Sequence, residues 1–204
     1  MFKKLPVGKF VTNCYIIADE ASKEAAVIDP AGEFEIIKEF IEENHLNIKY
    51  ILLTHAHGDH IAALPEIKAY SKAPLGLNQN DEDMLMDARI NMSAMFSRIP
   101  IEEKADFYLE DGKELPLGDS SIRIIHTPGH TKGGVCILYG KDLISGDTLF
   151  ARGIGRTDLY GGDYNTLVDA IKTKLFALDG EIRVHPGHGE SSTIAYEKNH
   201  NPFI

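Results

Sequence analysis

The sequence predicts an α/β fold in which helices cover packed β-sheets. Apolar strand-like runs alternate with amphipathic helical segments in both halves of the chain. No stretch is low in complexity or rich enough in Pro, Gly or Ser to act as a linker. The length of 204 residues and the hydrophobic fraction of 43% suit a core that one domain can bury. We therefore expect residues 1–204 to form a single domain.

The N-terminal half contains three strand-like runs, and the second is mostly apolar, which is typical of a strand buried on both faces. They lie at residues 11–18, 24–29 and 50–54. A helix is predicted at about residues 33–44, because its largely apolar residues fall on one face and acidic residues crowd its first turn. That face carries Ile37, Phe40, Ile41 and Asn44.

The middle of the chain carries two further helical patterns. Pro65 can occupy the first helical position, where its missing N–H costs nothing, so a helix of about residues 64–71 begins beyond the histidine-rich segment. An apolar stripe predicts a longer helix at about residues 80–97, and we expect the stripe to belong to the core rather than to line a pocket. The stripe comprises Leu85, Ala88, Met92, Met95 and Phe96.

The C-terminal half repeats the alternation with shorter strands. Strand-like runs lie at about residues 121–126, 134–139 and 142–145. A helix is predicted at about residues 164–178, since its apolar side chains share one face and Gly180 can end it. That face carries Leu167, Ile171, Leu175 and Leu178.

The chain is acidic, because 31 Asp and Glu residues outweigh 21 Lys and Arg residues and give a formal net charge of −10. A surface of that sign repels polyphosphate, so we expect neither nucleic acid nor an anionic membrane as a partner. No apolar run reaches the roughly 20 residues that a membrane helix needs, and the opening MFKKLPVGKF lacks the apolar stretch of a signal peptide. A cytoplasmic protein is therefore expected, and a homodimer is left open.

The segment THAHGDH places four metal-ligand side chains close together. They are His55, His57, Asp59 and His60. Chance would produce His-x-His-x-Asp-His in about one such chain in a thousand, so the pattern indicates a metal site. Residues i and i+2 of an extended loop project to the same side, which lets His55 and His57 bind one ion at about 2.0–2.1 Å. Gly58 is expected to provide a sharp turn, after which Asp59 and His60 form a second half-site.

Three more ligand-type residues follow predicted strands in Gly-rich contexts. They are His130 in HTPGHT, Asp147 in ISGDTLF and His188 in HPGHGE. The complete set predicts two ligand shells with room for a shared water, as catalytic rather than structural metal sites have. One shell comprises His55, His57 and His130, the other comprises Asp59, His60 and His188, and Asp147 bridges them. We expect two divalent ions, with zinc first and iron or manganese as alternatives.

The motifs, taken in order along the chain, resemble those of the metallo-β-lactamase-fold hydrolases and, within them, those of the glyoxalase II (hydroxyacylglutathione hydrolase) group. The resemblance covers nearly the whole chain and also includes NCYII, VIDPAG, HTPGHTKGG, GIGRTDL, PGHGESST and NPFI. It implies one αββα sandwich over residues 1–204, with two mixed β-sheets flanked by helices. It also implies that the dinuclear site lies at one edge, between the two sheets.

The resemblance implies a metal-dependent hydrolase that acts on a small thioester. We hypothesise that two zinc ions share a hydroxide that attacks the thioester carbonyl, and that Asp59 orients this hydroxide and accepts its proton. The resemblance implies that Arg156 contacts the substrate, because the corresponding position of glyoxalase II proteins lies beside the metals. Asp29, which ends a predicted strand, either holds a ligand histidine or is only a turn residue. Thr54 and Thr148 are expected to bind backbone.

Two features separate the chain from classical glyoxalase II, so its glutathione specificity is open. Asp158 stands where those enzymes carry a tyrosine that helps to hold glutathione, and residues 189–204 leave no room for their C-terminal helical domain. Persulfide dioxygenases share the histidine motif and a segment very like residues 155–158 but use a single iron, and a lactonase of the same fold is a further alternative. A nuclease is disfavoured because the sequence has no basic patch. A purely structural module is disfavoured because every ligand residue is present.

Overall fold

Six strands from the first half of the chain form one β-sheet in the computed structural model, which describes residues 1–96 and 99–204. They are β1 (Phe2–Val7), β2 (Thr12–Ala18), β3 (Glu24–Ile28), β4 (Asn47–Leu52), β5 (Leu75–Leu77) and β6 (Phe107–Tyr108), side by side in that order. Strands β1 to β3 pair antiparallel, whereas β3 to β6 pair parallel. The first sheet is therefore mixed.

The second half of the chain builds another mixed sheet and a small hairpin. Its strands are β7 (Glu114–Leu117), β8 (Ser120–His126), β9 (Val135–Tyr139), β10 (Asp142–Gly146), β11 (Leu149–Phe150), β12 (Gly153–Ile154), β13 (Arg183–Pro186) and β14 (Ser192–Thr193). The sheet order is β14-β13-β10-β9-β8-β7, and β11 pairs with β12. Only the β10–β13 pair of this sheet is parallel among the described residues.

The helices follow the strands in both halves. In the first half they are α1 (Phe34–Glu43), α2 (Leu64–Ser71), a 3₁₀ helix at Gln79–Asp81, α3 (Glu82–Leu85) and α4 (Ser93–Phe96). In the second half they are α5 (Tyr164–Ala170), which continues as a π-helical turn at Ile171–Leu175, and α6 (Ile194–His200). No helix in the two described ranges is long and apolar enough to cross a bilayer.

Three hydrophobic clusters separate four layers. Along β2, Cys14 and Ile16 point into a cluster shared with α1 and α2, while Tyr15 and Ile17 point into a cluster shared with the second sheet. This alternation follows from the two-residue period of a β-strand. The third cluster joins the other face of the second sheet to α5 and α6. The order helix, sheet, sheet, helix confirms the αββα sandwich.

Most of the predicted elements are present, with ends that shift by a few residues. Helices α1 and α2 match the predicted ranges 33–44 and 64–71, and the predicted strands correspond to β2, β3, β4, β8, β9 and β10. The predicted helix at 164–178 is present as α5 and the π-helical turn that follows it.

The long helix predicted at residues 80–97 is wrong, because three short helices take its place. Met92 has a left-handed backbone with φ of 69°, which no α-helix accommodates. The side chain of Asn91 accepts a hydrogen bond from Ser93 N at 2.8 Å, and such local bonds compete with helical ones. The predicted end of this helix at residue 97 and the side chain of Phe96 lie outside the described part of the chain.

Candidate metal centre

The ligand-type residues gather at one edge of the sandwich, in loops that follow four strands. The loop after β4 carries His55, His57, Asp59 and His60. The loop after β8 carries His130, Asp147 directly follows β10, and His188 follows β13. Because β4 belongs to the first sheet and the other three strands to the second, both sheets contribute side chains to this edge.

Three histidines form the first cluster. One ring nitrogen from each of His55, His57 and His130 lies within 4.8 Å of the other two. His57 turns its Nδ1 toward Nε2 of His130, at 3.0 Å. Two ligands of a tetrahedral ion at 2.0–2.1 Å lie about 3.3–3.4 Å apart, so the spacing suits one ion. All three side chains are buried, as ligands of an ion inside a protein are.

The second cluster combines a carboxylate with two histidines. Asp59, His60 and His188 also offer ligand atoms within 4.8 Å of one another. Oδ2 of Asp59 lies 3.1 Å from Nε2 of His188 and 3.9 Å from Nε2 of His60. His60 is fully buried, whereas Asp59 and His188 are partly exposed, so this cluster opens toward solvent.

Asp147 lies between the two clusters. Its Oδ1 is 3.4 Å from Nε2 of His60, and its Oδ2 is 3.7 Å from Nε2 of both His130 and His188. One carboxylate therefore reaches a histidine of the first cluster and both histidines of the second. This is the placement that a bridging ligand needs, and the ligand role itself stays a prediction.

Several buried polar atoms of these clusters have no hydrogen-bond partner among the described residues. They are Nε2 of His55, His57 and His60 and Oδ1 of Asp147. A buried polar atom without a partner costs about 1–3 kcal/mol, whereas a divalent cation beside such nitrogens and oxygens would bind their lone pairs. The residues present therefore fit a dinuclear divalent metal site.

The first cluster is held in its neutral form. Burial lowers the pKa of His55, His57 and His130, and repulsion from neighbouring histidines adds to this effect at His55 and His57. The pKa of His57 falls to about 3. Neutral imidazole is the form that binds metal ions, so these three side chains are ready to act as ligands near neutral pH.

Carboxylates change the balance in the second cluster. Burial lowers the pKa of His60, but the charges of Asp147 and Asp59 more than offset it and hold the pKa well above its usual range. Burial and Asp59 oppose each other in the same way at His188, and its pKa is raised. A cation that binds here would displace protons from these histidines.

Asp29 contacts one predicted ligand histidine directly and a second one through Thr54. Its Oδ2 lies 2.9 Å from Nδ1 of His60, and it accepts hydrogen bonds from Thr54 N at 2.7 Å and Thr54 Oγ1 at 2.6 Å. Thr54 Oγ1 in turn lies 3.0 Å from Nδ1 of His55. The expectation that Thr54 and Thr148 bind backbone is therefore wrong, since Thr148 Oγ1 also pairs with a side-chain hydroxyl.

Two glycines make room for the centre. The turn expected at Gly58 is present, because His60 N donates to the carbonyl of His57 at 2.9 Å, and Gly58 enters it without a left-handed backbone. A Cβ at Gly58 would lie 2.8 Å from Cα of Ser93, and Gly58 N donates to the carbonyl of Asn91 at 2.7 Å. At Gly187, a Cβ would overlap the carboxylate of Asp147. Both positions thus require glycine because other atoms approach the backbone closely.

A cavity of about 490 Å³ opens over both clusters. Its walls carry the apolar side chains of Met92, Phe150, Ile154 and Leu159. Met92 thus lines a pocket, contrary to the expectation that the stripe of residues 80–97 belongs to the core. Arg156 lines the same cavity with a side chain that is 60% exposed.

The guanidinium of Arg156 already has a partner, because it binds both carboxylate oxygens of Asp158, each at 2.8 Å. Its carbonyl oxygen accepts a hydrogen bond from Nδ1 of His130 at 2.7 Å. Arg156 therefore touches the centre through its backbone as well as facing the cavity. This backbone contact is not predictable from the sequence motif, which indicates only the side chain.

Asp81 is a further buried residue of this region that no sequence motif indicates. This carboxylate is 1% exposed and accepts hydrogen bonds from the loop that carries His130. Its position at the start of a predicted helix made it resemble an ordinary first-turn acid. No spacing rule connects it with the histidines, since the link exists only in three dimensions.

Residues 7–188 match the sequence profile described as the Metallo-beta-lactamase superfamily. The chain is 40% identical over 208 residues to the probable metallo-hydrolase YqgX of Bacillus subtilis, which covers 100% of this chain and 97% of that relative. It is 38% identical over 205 residues to the hydroxyacylglutathione hydrolase GloC of Haemophilus influenzae, which covers 98% and 96% of the two chains.

Solved structures are similar over the same length. The BLEG-1 B3 metallo-beta-lactamase has a TM-score of 0.92 at 39% identity and covers 100% of this chain and 99% of that one. TTHA1623 in a di-iron-bound form has a TM-score of 0.89 at 32% identity, with 99% and 100% covered. ETHE1 from Myxococcus xanthus has a TM-score of 0.81 at 29% identity, with 99% and 83% covered. The chain therefore belongs to the metallo-beta-lactamase superfamily, as a metallo-hydrolase with a dinuclear divalent metal site.

Proposed function

We propose that the chain is a thioester hydrolase of the glyoxalase II kind. The observation that carries the proposal is the pair of ligand clusters, with Asp147 between them, at the floor of a cavity that can hold a small molecule. The similarity to GloC of Haemophilus influenzae supports the choice of reaction. The order of motifs from THAHGDH to PGHGESST supports it as well.

The side chains of the site have two proposed roles, metal binding and proton transfer. His55, His57 and His130 would hold one ion, Asp59, His60 and His188 would hold the other, and Asp147 is close enough to contact both groups of ligands. When bound, such ions supply a hydroxide nucleophile at neutral pH and polarise the substrate carbonyl. Asp59 is the proposed catalytic residue, because its carboxylate stays ionised despite burial and faces the cavity. It orients the attacking water and accepts its proton.

The substrate lies in the cavity above the clusters. The apolar side chains of Phe150, Ile154 and Leu159 exclude water from the acyl group. Arg156 binds an anionic group of the thiol carrier in place of Asp158, since solvent screens an exposed ion pair and its partner is readily exchanged. The partner is thus a small thioester, and the net charge of −10 disfavours nucleic acid in its place.

Zinc is the proposed metal. A borderline-soft ion suits imidazole and carboxylate ligands and also accepts the thiolate that leaves a thioester. Iron is the competing identity, because TTHA1623 has been solved in a di-iron-bound form.

The direct test is hydrolysis of S-lactoylglutathione by the purified protein, followed as release of free thiol. A lactone and a β-lactam serve as competing substrates. We expect thiol release that stops when a chelator removes the metal and returns when zinc is restored. Turnover of the lactone or the β-lactam with no thioester cleavage would overturn the proposal.

One second candidate has a specific observation in its favour. Residues 155–158, GRTD, are similar to a segment of persulfide dioxygenases, and the structure is similar to ETHE1 from Myxococcus xanthus. That reaction uses one iron and consumes oxygen. A single iron per chain with oxygen uptake on glutathione persulfide would favour this candidate, and two metals with thioester cleavage would favour the hydrolase.

A further inference from the structure

A buried carboxylate outside the ligand set connects the two loops that carry the first cluster. Asp81 ends the 3₁₀ helix at Gln79–Asp81 and is 1% exposed. Its Oδ2 accepts a hydrogen bond from Thr131 Oγ1 at 2.7 Å, and its Oδ1 accepts one from Gly133 N at 2.6 Å. The backbone of Ala56, in the loop after β4, lies close enough to lower the pKa of the same carboxyl. The carboxylate is therefore hydrogen-bonded to the loop of Thr131 and lies beside the loop of Ala56.

The residues that contact Asp81 lie next to the histidines of the first cluster. Ala56 stands between His55 and His57, and Thr131 directly follows His130. The Ala56 loop leaves the first sheet and the Thr131 loop leaves the second. One carboxylate thus joins the two sheets at the point where the three histidines must meet.

The histidines differ in how their rings are fixed. Nδ1 of His55 lies 3.0 Å from Thr54 Oγ1, and Nδ1 of His130 donates to the carbonyl of Arg156 at 2.7 Å. His57 turns Nδ1 toward the cluster, and its Nε2 has no hydrogen-bond partner in the described ranges. The position of His57 therefore depends on the backbone beside it, which passes close to Asp81 at Ala56.

The approach of Asp81 to the second loop is close. A Cβ at Gly133 would lie 2.8 Å from Cγ of Asp81 and 2.7 Å from its backbone nitrogen. Burial is unfavourable for this carboxylate, because it raises the pKa of Asp81 to about 6 although the hydrogen bonds from Thr131 and Gly133 lower it. An apolar side chain would fill the same space without the desolvation penalty of a carboxylate. The carboxylate at this position therefore indicates that its directional hydrogen bonds are needed.

We propose that Asp81 is a positioning residue that sets the spacing of His55, His57 and His130 and thereby the affinity of the first cluster for its ion. The proposal rests on the metal site described above but not on the substrate. Its test can therefore use metal binding alone, so failure of thioester hydrolysis and failure of this role are distinguishable.

The experiment compares Asp81→Asn with the wild-type protein in stepwise titrations of the metal-free chain with Co²⁺. Asparagine has one acceptor oxygen and places an NH₂ donor against the N–H or O–H groups of the two loops. We expect one of the two Co²⁺ equivalents to bind about 10–100-fold more weakly, as loss of a residue that orients metal ligands does. The absorption spectrum of this weakened Co²⁺ equivalent should change as well. The affinity for the other equivalent should stay within about threefold of the wild-type value.

Asp142→Asn is the matched control. Asp142 is also a buried carboxylate, at 8% exposed, and it accepts hydrogen bonds from Arg183 and His185. It begins β10, whose opposite end leads to Asp147, about 16 Å away along the strand. We expect this variant to melt earlier but to bind both Co²⁺ equivalents as the wild type does.

Thr131→Val keeps the carboxylate and removes one donor, so it tests the same link if Asp81→Asn fails to fold. It should weaken the same Co²⁺ equivalent by a smaller factor, and Thr131→Ser should restore it. The role of Asp81 is contradicted if Asp81→Asn or Thr131→Val melts earlier yet binds both Co²⁺ equivalents with wild-type affinity and spectrum. It is equally contradicted if both equivalents weaken to the same extent, because that result describes general loosening.

Discussion

Oδ2 of Asp59 lies 3.1 Å from Nε2 of His188, which brings a loop of the first sheet against a loop of the second. Thr12 supports this contact from both sides, since its hydroxyl donates to Oδ2 of Asp59 at 3.5 Å and its backbone pairs with that of His188. The carboxylate of Asp59 also lines the cavity. Asp59 is thus placed both to bind an ion and to take a proton from a water in the cavity.

Replacement of Asp59 by alanine should lower kcat for thioester hydrolysis by about 10²–10⁴-fold, because a ligand and a proton acceptor are lost together. His57→Ala should have an effect of the same order. Far-UV circular dichroism should stay unchanged, since both side chains lie in loops. His200→Ala, at an exposed histidine in α6, is the matched control and should keep full activity. Wild-type turnover by metal-loaded Asp59→Ala would contradict the assignment.

Asp29→Ala should weaken the second cluster. The change removes the acceptor that lies 2.9 Å from Nδ1 of His60, and it also frees the hydroxyl of Thr54 beside His55. We expect about 10–100-fold weaker retention of at least one metal ion, measured by competition with a chelator. Unchanged retention would mean that Asp29 is only the turn residue that its position before Pro30 also allows.

Arg156→Ala should raise KM for S-lactoylglutathione by about tenfold with little change in kcat, because a charged contact to the thiol carrier is lost and the metal ligands are not. Asp158→Asn should lower KM instead, since it releases the guanidinium from its bidentate partner. A thioester without a charged carrier should show neither effect. If Arg156→Ala changes kcat alone, the side chain does not bind the carrier.

The contacts of Asp142 with Arg183 and His185 should make the free energy of unfolding depend on pH. Burial raises the pKa of Asp142, but the hydrogen bonds from Arg183 and His185 outweigh it and lower the pKa below its usual value. The folded state then binds the proton less readily than the unfolded state does. The stability that the carboxylate contributes is present above about pH 4 and is lost as the pH falls further.

Asp142→Asn measures that contribution. The melting temperature of the variant should lie roughly 5–10 °C below that of the wild type near pH 7, and the gap should close as the pH falls below about 4. A gap that stays constant down to about pH 2 would show that the effect comes from packing rather than from the charge.

The spacing of the histidines made the metal centre predictable, because i and i+2 residues of a loop share a side whatever the rest of the fold is. The amphipathic faces of α1 and α2 were predictable for the same reason, since their period is local. The sandwich itself was not, because the parallel pairing of β10 with β13 joins residues far apart in sequence. The αββα sandwich was predictable only because the motifs resemble those of a family with a known fold.

Other elements could not be predicted for specific physical reasons. Strand β1 lies at the edge of its sheet and is mostly half-buried, so Phe2–Val7 shows no clear apolar alternation. Residues 80–97 have a helical stripe, but Met92 interrupts it with a left-handed backbone. The contacts of Asp81 and Asn91 lie across loops, where sequence periodicity carries no information.

The measurement that tests the account most directly is the metal content of the purified protein, determined together with its thioesterase activity. We expect two divalent ions per chain, and we expect hydrolysis of S-lactoylglutathione to rise in proportion as zinc is returned to the chelated protein. One iron per chain, with oxygen uptake and no thiol release at any metal content, would contradict it.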